Sequence, residues 1–205
     1  MDAKPAEGTV TDLALAASLR AAALHGGELV PYEHIRSGRE GNLIVFCVDA
    51  SGSMGARRRM AQVKAAVLGL LTDAYQRRDK VALVTFRGEE AVVQLAPTSS
   101  VERAAEALRA LPTGGKTPLA QGLEQTELII RTEQRRDPSR RALAIIVTDG
   151  RARDREAALH AIHSLARAAA GIVVIDGEQG PVRLGLATRL AEAAGAEILP
   201  LEAAA

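Results

Sequence analysis

Asp49, Ser51 and Ser53 stand at alternate positions in FCVDASGSMG (46–55), directly after the apolar run IVFCV (44–48). A carboxylate and two hydroxyls this close together suit one of three chemistries: a nucleophile, a phosphate cradle, or a set of ligands for a hard cation. A second acid, Asp149, ends another apolar run, RALAIIVTD (141–149), and Thr117 lies in the loop-forming stretch PTGGKTP (112–118). In open α/β sheets, ligands gather beyond the carboxyl ends of the strands, where strand order reverses. If the strands ending in Asp49 and Asp149 are neighbours, the two acids share one crevice. The loop carrying Thr117 can then reach the same edge.

Each chemistry makes demands that can be checked on the residues. A phosphoaspartyl phosphatase of the haloacid dehalogenase type needs a second acid two residues after the first, and that position is Ser51. A nucleophile elbow needs G-x-S-x-G, yet the first glycine around Ser53 would fall at residue 51. His25, His34, His160 and His163 have no evident claim on the turn as a base. GGKT (114–117) is like the end of a phosphate-binding loop, but the full pattern needs a glycine where Ala110 stands, and a strand before it. His160 and His163, near Asp154, could form half a metal site, although a solvated helix face explains them as well.

A cation fits the remaining pattern. Magnesium takes hard oxygen ligands in octahedral geometry and keeps waters where the protein supplies few. Serine and threonine hydroxyls are neutral donors, so a site with only one or two carboxylates leaves the ion short of negative charge. Such an ion can accept one more carboxylate, from another protein. The plain alternative is structural, with serines capping the following helix and acids ending strands.

These residues must be positioned by regular elements, and the rest of the chain supplies them. NLIVFCV (42–48), KVALVTF (80–86), AVVQLA (91–96), RALAIIVTD (141–149), GIVVID (171–176) and AEILPL (196–201) read as strands, several of them continuously apolar as in a sheet covered on both faces. The short GEE link after residue 86 makes the third strand antiparallel to the second. Helical spacing is evident from Met60 to Arg78, after Ser100, after Pro118, after Asp154, and over LGLATRLAEAAG (184–195), which Gly195 closes. Strand–helix alternation predicts a doubly wound α/β fold: a mostly parallel six-stranded sheet with one antiparallel strand and helices on both faces. The expected domain spans residues 42–201. Residues 1–41 form a lead-in with one short helix over Asp12–His25.

Bulk properties narrow the function. The 205 residues are 47% hydrophobic but only 2% aromatic, so alanine, leucine and valine must fill the core. Twenty-six basic residues against 25 acidic ones give a net charge of +1, which predicts no general affinity for nucleic acid. The arginine clusters at 57–59, 77–78, 135–136 and 140–141 read as solvated helix ends and loops, with docking of an acidic partner as the alternative. Cys47 is the only cysteine and sits within an apolar run, as a buried small hydrophobe. No apolar stretch is long enough for a membrane span, and no leader is evident, so the expected setting is cytoplasmic.

D-x-S-x-S after a first strand, a loop threonine, and T-D-G after a fourth strand together resemble the metal-ion-dependent adhesion site of the von Willebrand factor A domain. The resemblance implies Mg²⁺ or Mn²⁺ at Asp49, Ser51, Ser53, Thr117 and Asp149. It implies direct contact by the hydroxyls, contact by the acids partly through water, and no catalytic residues. Across roughly residues 10–200, AYQRRDKVALVTFRG and LPTGGKTPLAQGL are similar to the C-terminal domain of the D-type component of magnesium chelatase and to related cobalt chelatase components. Two departures stand out: Lys116 replaces a glycine of that pattern, and the ATPase-like domain and acidic linker of the D-type component are not in this sequence. The chain is expected to be an isolated domain or a short stand-alone relative. The resemblance implies a non-catalytic interaction module of an ATP-driven chelatase of tetrapyrrole biosynthesis. Its implied partners are an AAA-type ATPase chelatase subunit and a large porphyrin-binding subunit. The alternatives are an adaptor for another AAA-type ATPase and a cobalt chelatase component of cobalamin biosynthesis.

Overall fold

The computed structural model describes residues 3–5, 32–34, 41–52, 54, 57–77, 79–111, 114–178 and 183–201. The helix expected over Asp12–His25, and Ser53 of the candidate site, lie outside the described residues. Near the N-terminus, β1 (Ala3–Pro5) pairs antiparallel with β2 (Tyr32–His34).

The main body runs β3 (Leu43–Asp49), α1 (Arg57–Gln76), β4 (Lys80–Arg87), β5 (Glu90–Thr98), α2 (Val101–Arg109), α3 (Leu119–Arg136), β6 (Ala142–Thr148), α4 (Arg155–Ala168), β7 (Gly171–Asp176), α5 (Leu186–Ala194) and β8 (Glu197–Pro200). Six of these strands form one sheet in the order β5-β4-β3-β6-β7-β8. Every pairing is parallel except β4 with β5, the hairpin expected from the GEE link. Strand order reverses between β3 and β6, the two strands that carry Asp49 and precede Asp149.

The side-chain period of two divides β3 between two cores. Ile44, Phe46 and Val48 face α1 and α2, joining Met60, Val63, Val67, Ala104 and Leu108. Leu43, Val45 and Cys47 face the other side, joining Leu123 and Ile130 of α3, Ile162 and Leu165 of α4, and Leu190 of α5. Each such aliphatic side chain, fully buried, contributes roughly 1.5–3 kcal/mol by transfer from water. With so few aromatics, close approach has to replace bulk. Alanines on α4 and α5 (Ala158, Ala161, Ala187, Ala191) let these helices lie near the strands.

Local signals end the helices as expected. Ser100 caps α2, its hydroxyl accepting from Arg103 N at 3.3 Å, and Asp154 caps α4, accepting from Ala157 N at 2.9 Å. Gly195 follows α5 with φ +59°. Pro118 sits one position before the first residue of α3.

At the end of the sheet opposite Asp49, Arg135 and Arg136 are exposed at a helix end as expected, while Arg140 is drawn in. The buried Glu133 carboxylate holds Lys80 Nζ at 2.8 Å and Arg136 Nη1 at 2.7 Å. Arg140, whose side chain is mostly covered, donates to Gly41 O at 3.0 Å and pairs with Asp137 at 2.9 Å. Its planar, many-donor head satisfies several acceptors at once, which keeps it out of solvent.

Two helix glycines test this packing. A Cβ on Gly122 of α3 would lie 2.4 Å from Phe86 Cδ1, whereas one on Gly69 of α1 would meet nothing within 4 Å. Alanine has the better helix propensity by about 1 kcal/mol at either position. Gly69→Ala should therefore stabilise the fold by about 0.5–1 kcal/mol. Gly122→Ala should destabilise it by about 1–3 kcal/mol, because overpacking outweighs propensity. Chemical denaturation of both variants checks the opposite signs.

Candidate functional site

Strand register sets the level of the rim. Val48 of β3 stands opposite Val147 of β6, so Asp49 comes level with Thr148, and Thr148 stands opposite Asp176 of β7. The acids at the ends of three neighbouring parallel strands thus arrive at one edge of the sheet. Asp49 is fully buried and Asp149 is 3% exposed.

Backbone hydrogen bonds then tie the loops to one another. After β3, Ala50 N donates to Phe86 O at 3.1 Å, and Met54 N turns back onto Ser51 O at 3.2 Å. Gly52 N donates to Gly115 O at 2.9 Å and Gly114 N to Ala50 O at 2.8 Å, which lays the 114–117 loop along the Asp49 turn. Gly88 N donates to Lys116 O at 2.9 Å, and Arg153 N to Thr117 O at 3.3 Å. Gly115 has φ +91°, and a Cβ there would lie 2.9 Å from Gly88 N, so only glycine allows this crossing. Below the turn, the buried Met54 acts as a plug: a Cβ on Gly177 would lie 2.5 Å from its Cε.

The side chains on this frame are mostly hydrogen-bonded. Asp49 Oδ1 accepts from Ser51 N at 2.8 Å, and Oδ2 from Thr148 Oγ1 at 3.1 Å. Thr148 Oγ1 in turn accepts from Gly150 N at 3.1 Å. Asp149 Oδ1 accepts from Arg151 N at 3.0 Å, with Arg151 Nε 3.5 Å from Oδ2. Beside them Asp176 accepts from Glu178 N at 2.8 Å. The buried Glu178 carboxylate clamps Leu184 N at 2.8 Å and Gly185 N at 3.0 Å, fixing the approach to α5.

Burial, with a smaller push from the neighbouring Asp149 charge, raises the Asp49 carboxyl to about 6 against the lowering effect of the Ser51 and Thr148 hydrogen bonds. Burial likewise raises Asp176, with the Glu178 and Asp149 charges adding to it and the Glu178 N–H and Arg183 opposing. Burial thus disfavours the ionised form of Asp49 and Asp176, whereas Asp149 is paired with Arg151. Cys47, opposite Ile146 of β6 and within the core, has its thiol pushed up to about 12 by burial and is an inert apolar group.

Of the five candidate ligands, Asp49 ends β3, Ser51, Thr117 and Asp149 fall on loops that this frame holds together, and Ser53 lies outside the described residues. No group of three or more His, Cys, Asp or Glu side chains able to hold a metal occurs among the described residues. A cation here would depend on hydroxyl oxygens, which suits a hard ion such as Mg²⁺ or Mn²⁺. His160 and His163 are exposed on α4, and His163 Nδ1 lies 2.6 Å from Leu159 O of its own helix. GGKT follows α2 rather than a strand, unlike a phosphate-binding loop. Sequence reasoning did not single out the supporting roles of Thr148, Met54 and Glu178. Thr148 had a signal, as a polar residue at the end of an otherwise apolar strand.

Comparison with known proteins follows the same outline. The profile described as von Willebrand factor type A domain matches residues 44–152. An uncharacterised protein of Mycobacterium tuberculosis is 52% identical over 176 residues, which are 82% of this chain and 27% of that protein. The magnesium-chelatase 67 kDa subunit of Chlorobaculum parvum is 47% identical over 113 residues, 55% of this chain and 18% of the subunit. The chain thus spans only about a quarter and a fifth of the lengths of these two relatives. An uncharacterised protein of Methanocaldococcus jannaschii is 33% identical over 156 residues, 73% of this chain and 90% of that protein. Among solved structures, a von Willebrand factor type A protein from Catenulispora acidiphila superposes with a TM-score of 0.61 at 26% identity, covering 78% of this chain and 38% of that one. By fold, profile and relatives, this chain belongs to the von Willebrand factor type A domain family and is related to magnesium chelatase subunits.

Proposed function

We propose that the chain is a non-catalytic, metal-dependent interaction module of an ATP-driven metal chelatase, binding a partner's carboxylate through Mg²⁺ held at Asp49, Ser51, Ser53, Thr117 and Asp149. The observation that carries this reading is the pair of buried carboxylates, Asp49 and Asp149, at the ends of adjacent parallel strands, with hydroxyl-bearing loops tied across them. Bound there, a divalent ion would supply the missing positive charge and offer an open coordination position to an outside acid. The chain's own part is to orient its oxygens and to keep the ion under-neutralised.

The chelatase assignment draws its support from the similarity to magnesium-chelatase subunits. By that analogy the partners are an AAA-type ATPase subunit and a large porphyrin-binding subunit, and the bridging ion is distinct from the metal inserted into the tetrapyrrole. A second reading is an adaptor for another AAA-type ATPase: the Methanocaldococcus relative matches over 90% of its own length, so a protein of about this domain's size occurs among the relatives. A cytoplasmic setting is part of the proposal; among the described residues no helix is long and apolar enough to cross a membrane.

Retention of partners from a lysate of the source cells, with Mg²⁺ and with EDTA, tests both halves. Chelatase subunits should be held only with Mg²⁺, and Asp49→Ala or Thr117→Val should lower Mg²⁺ affinity by roughly tenfold or more with the fold intact. Normal retention in EDTA, or phosphatase or esterase turnover abolished by Asp49→Ala, would overturn the reading.

The pH response follows from Asp49. Its folded-state pKa lies above the unfolded value, so the folded chain binds more protons between about pH 4 and pH 6. Without metal, stability should therefore fall as pH rises through that window, by on the order of 3 kcal/mol, and level off above it. Asp49→Asn should flatten the profile. Because the ion competes with that proton, Mg²⁺ affinity of the native chain should climb over the same range. Thermal denaturation and metal titration at several pH values check both trends.

A further inference from the structure

Beside the candidate metal centre, a charged triad joins the same three loops. A single oxygen, Glu89 Oε1, faces Lys116 Nζ at 3.8 Å and Arg153 Nη1 at 3.6 Å. Glu89 lies in the β4–β5 turn next to Gly88, which bonds Lys116 O; Lys116 directly precedes Thr117; and Arg153 N bonds Thr117 O. The triad is thus held against the loop that carries one of the candidate ligands. All three side chains are well exposed, at 65% for Lys116, 75% for Glu89 and 65% for Arg153.

Its charges do not balance. Two cations share one carboxylate oxygen at distances near the outer limit of ion pairing. Exposed pairs of this kind contribute only about 0–1 kcal/mol each, so an incoming carboxylate can displace Glu89 at little cost.

We infer that this rim reads a second acidic residue on the partner: one carboxylate goes to the ion, and its neighbour replaces Glu89 between Lys116 and Arg153. The inference rests on the metal-bridging reading and adds to it the partner's chemistry, a protein segment with adjacent acidic side chains. Glu89 acts as an internal competitor. It occupies the cations when no partner is present and competes with the partner's second acid for them.

The experiment compares two synthetic peptides of equal length, one with three consecutive glutamates between glycines and one with a single central glutamate, titrated into the full chain with Mg²⁺. The native chain should prefer the triglutamate peptide by roughly threefold to fivefold. Lys116→Ala with Arg153→Ala should remove that preference, Glu89→Gln should enlarge it by about threefold, and Mg²⁺ affinity should stay near its native value in all of them. Mg²⁺-dependent binding with a preference that none of these substitutions changes overturns the second-acid inference while leaving metal bridging intact. Binding of both peptides that persists in EDTA, or no Mg²⁺-dependent binding of either, overturns metal bridging and the inference with it. Tighter binding of an oligo-dT strand than of the triglutamate peptide, lost in the Lys116/Arg153 variant, reassigns the rim to nucleic acid and also overturns it.

Discussion

Most of the architecture depends on the alignment of two parallel strands that end in acid. Because β3 and β6 are neighbours in register, Asp49 has nowhere to go but the covered edge of the sheet, level with Thr148 and beside Asp149. Taking a carboxylate out of water costs several kcal/mol unless dipoles or opposite charge replace the lost hydration. For Asp49 the replacement comes from neutral donors, the Ser51 amide and the Thr148 hydroxyl, whereas Asp149 has the Arg151 amide and guanidinium. Dipoles of this kind hold the Asp49 carboxylate in place without neutralising it, and the remaining deficit appears as its raised pKa.

That cost requires a rigid support. The two cores on either face of the sheet provide it with aliphatic side chains and close helix approaches, such as α3 lying on Phe86 at Gly122. The loops are rigid for a different reason. Four backbone hydrogen bonds link the Asp49 turn, the β4–β5 turn, the 114–117 loop and the segment after Asp149. Met54, inserted beneath Gly177, anchors the turn from below. The site is therefore held by main-chain geometry more than by the oxygen-bearing side chains themselves.

This division explains what was legible in the sequence. Apolar runs of strand length and helical spacing between them reflect burial, so the six-stranded sheet, its one antiparallel pair and the caps at Ser100, Asp154 and Gly195 could be read directly. Asp49, Ser51 and Asp149 could be read because polar residues at the end of an apolar strand are conspicuous. The loop crossings could not, because an amide–carbonyl bond such as Gly52 to Gly115 leaves no side-chain signature beyond a glycine. Arg140 misled for a related reason: an arginine run looks solvated in sequence, and only the folded chain brings Gly41 O and Asp137 within reach of its guanidinium. The Glu89–Lys116–Arg153 triad also needs three distant loops to meet before it exists.

The same contacts bear on whether the rim reacts or only recognises. An aspartate that attacks a phosphoryl or acyl group must present a free, ionised oxygen to it. Asp49 is fully buried, both its oxygens already accept hydrogen bonds, and its carboxyl favours the protonated form below about pH 6. Ser51 is 1% exposed and takes part in the same hydrogen-bonded turn, and no histidine contributes to the hydrogen bonds of the rim among the described residues. The proposed cation asks less of the same edge: it would need only oxygens that are already oriented, and its charge would lower the cost of keeping Asp49 and Asp149 ionised side by side.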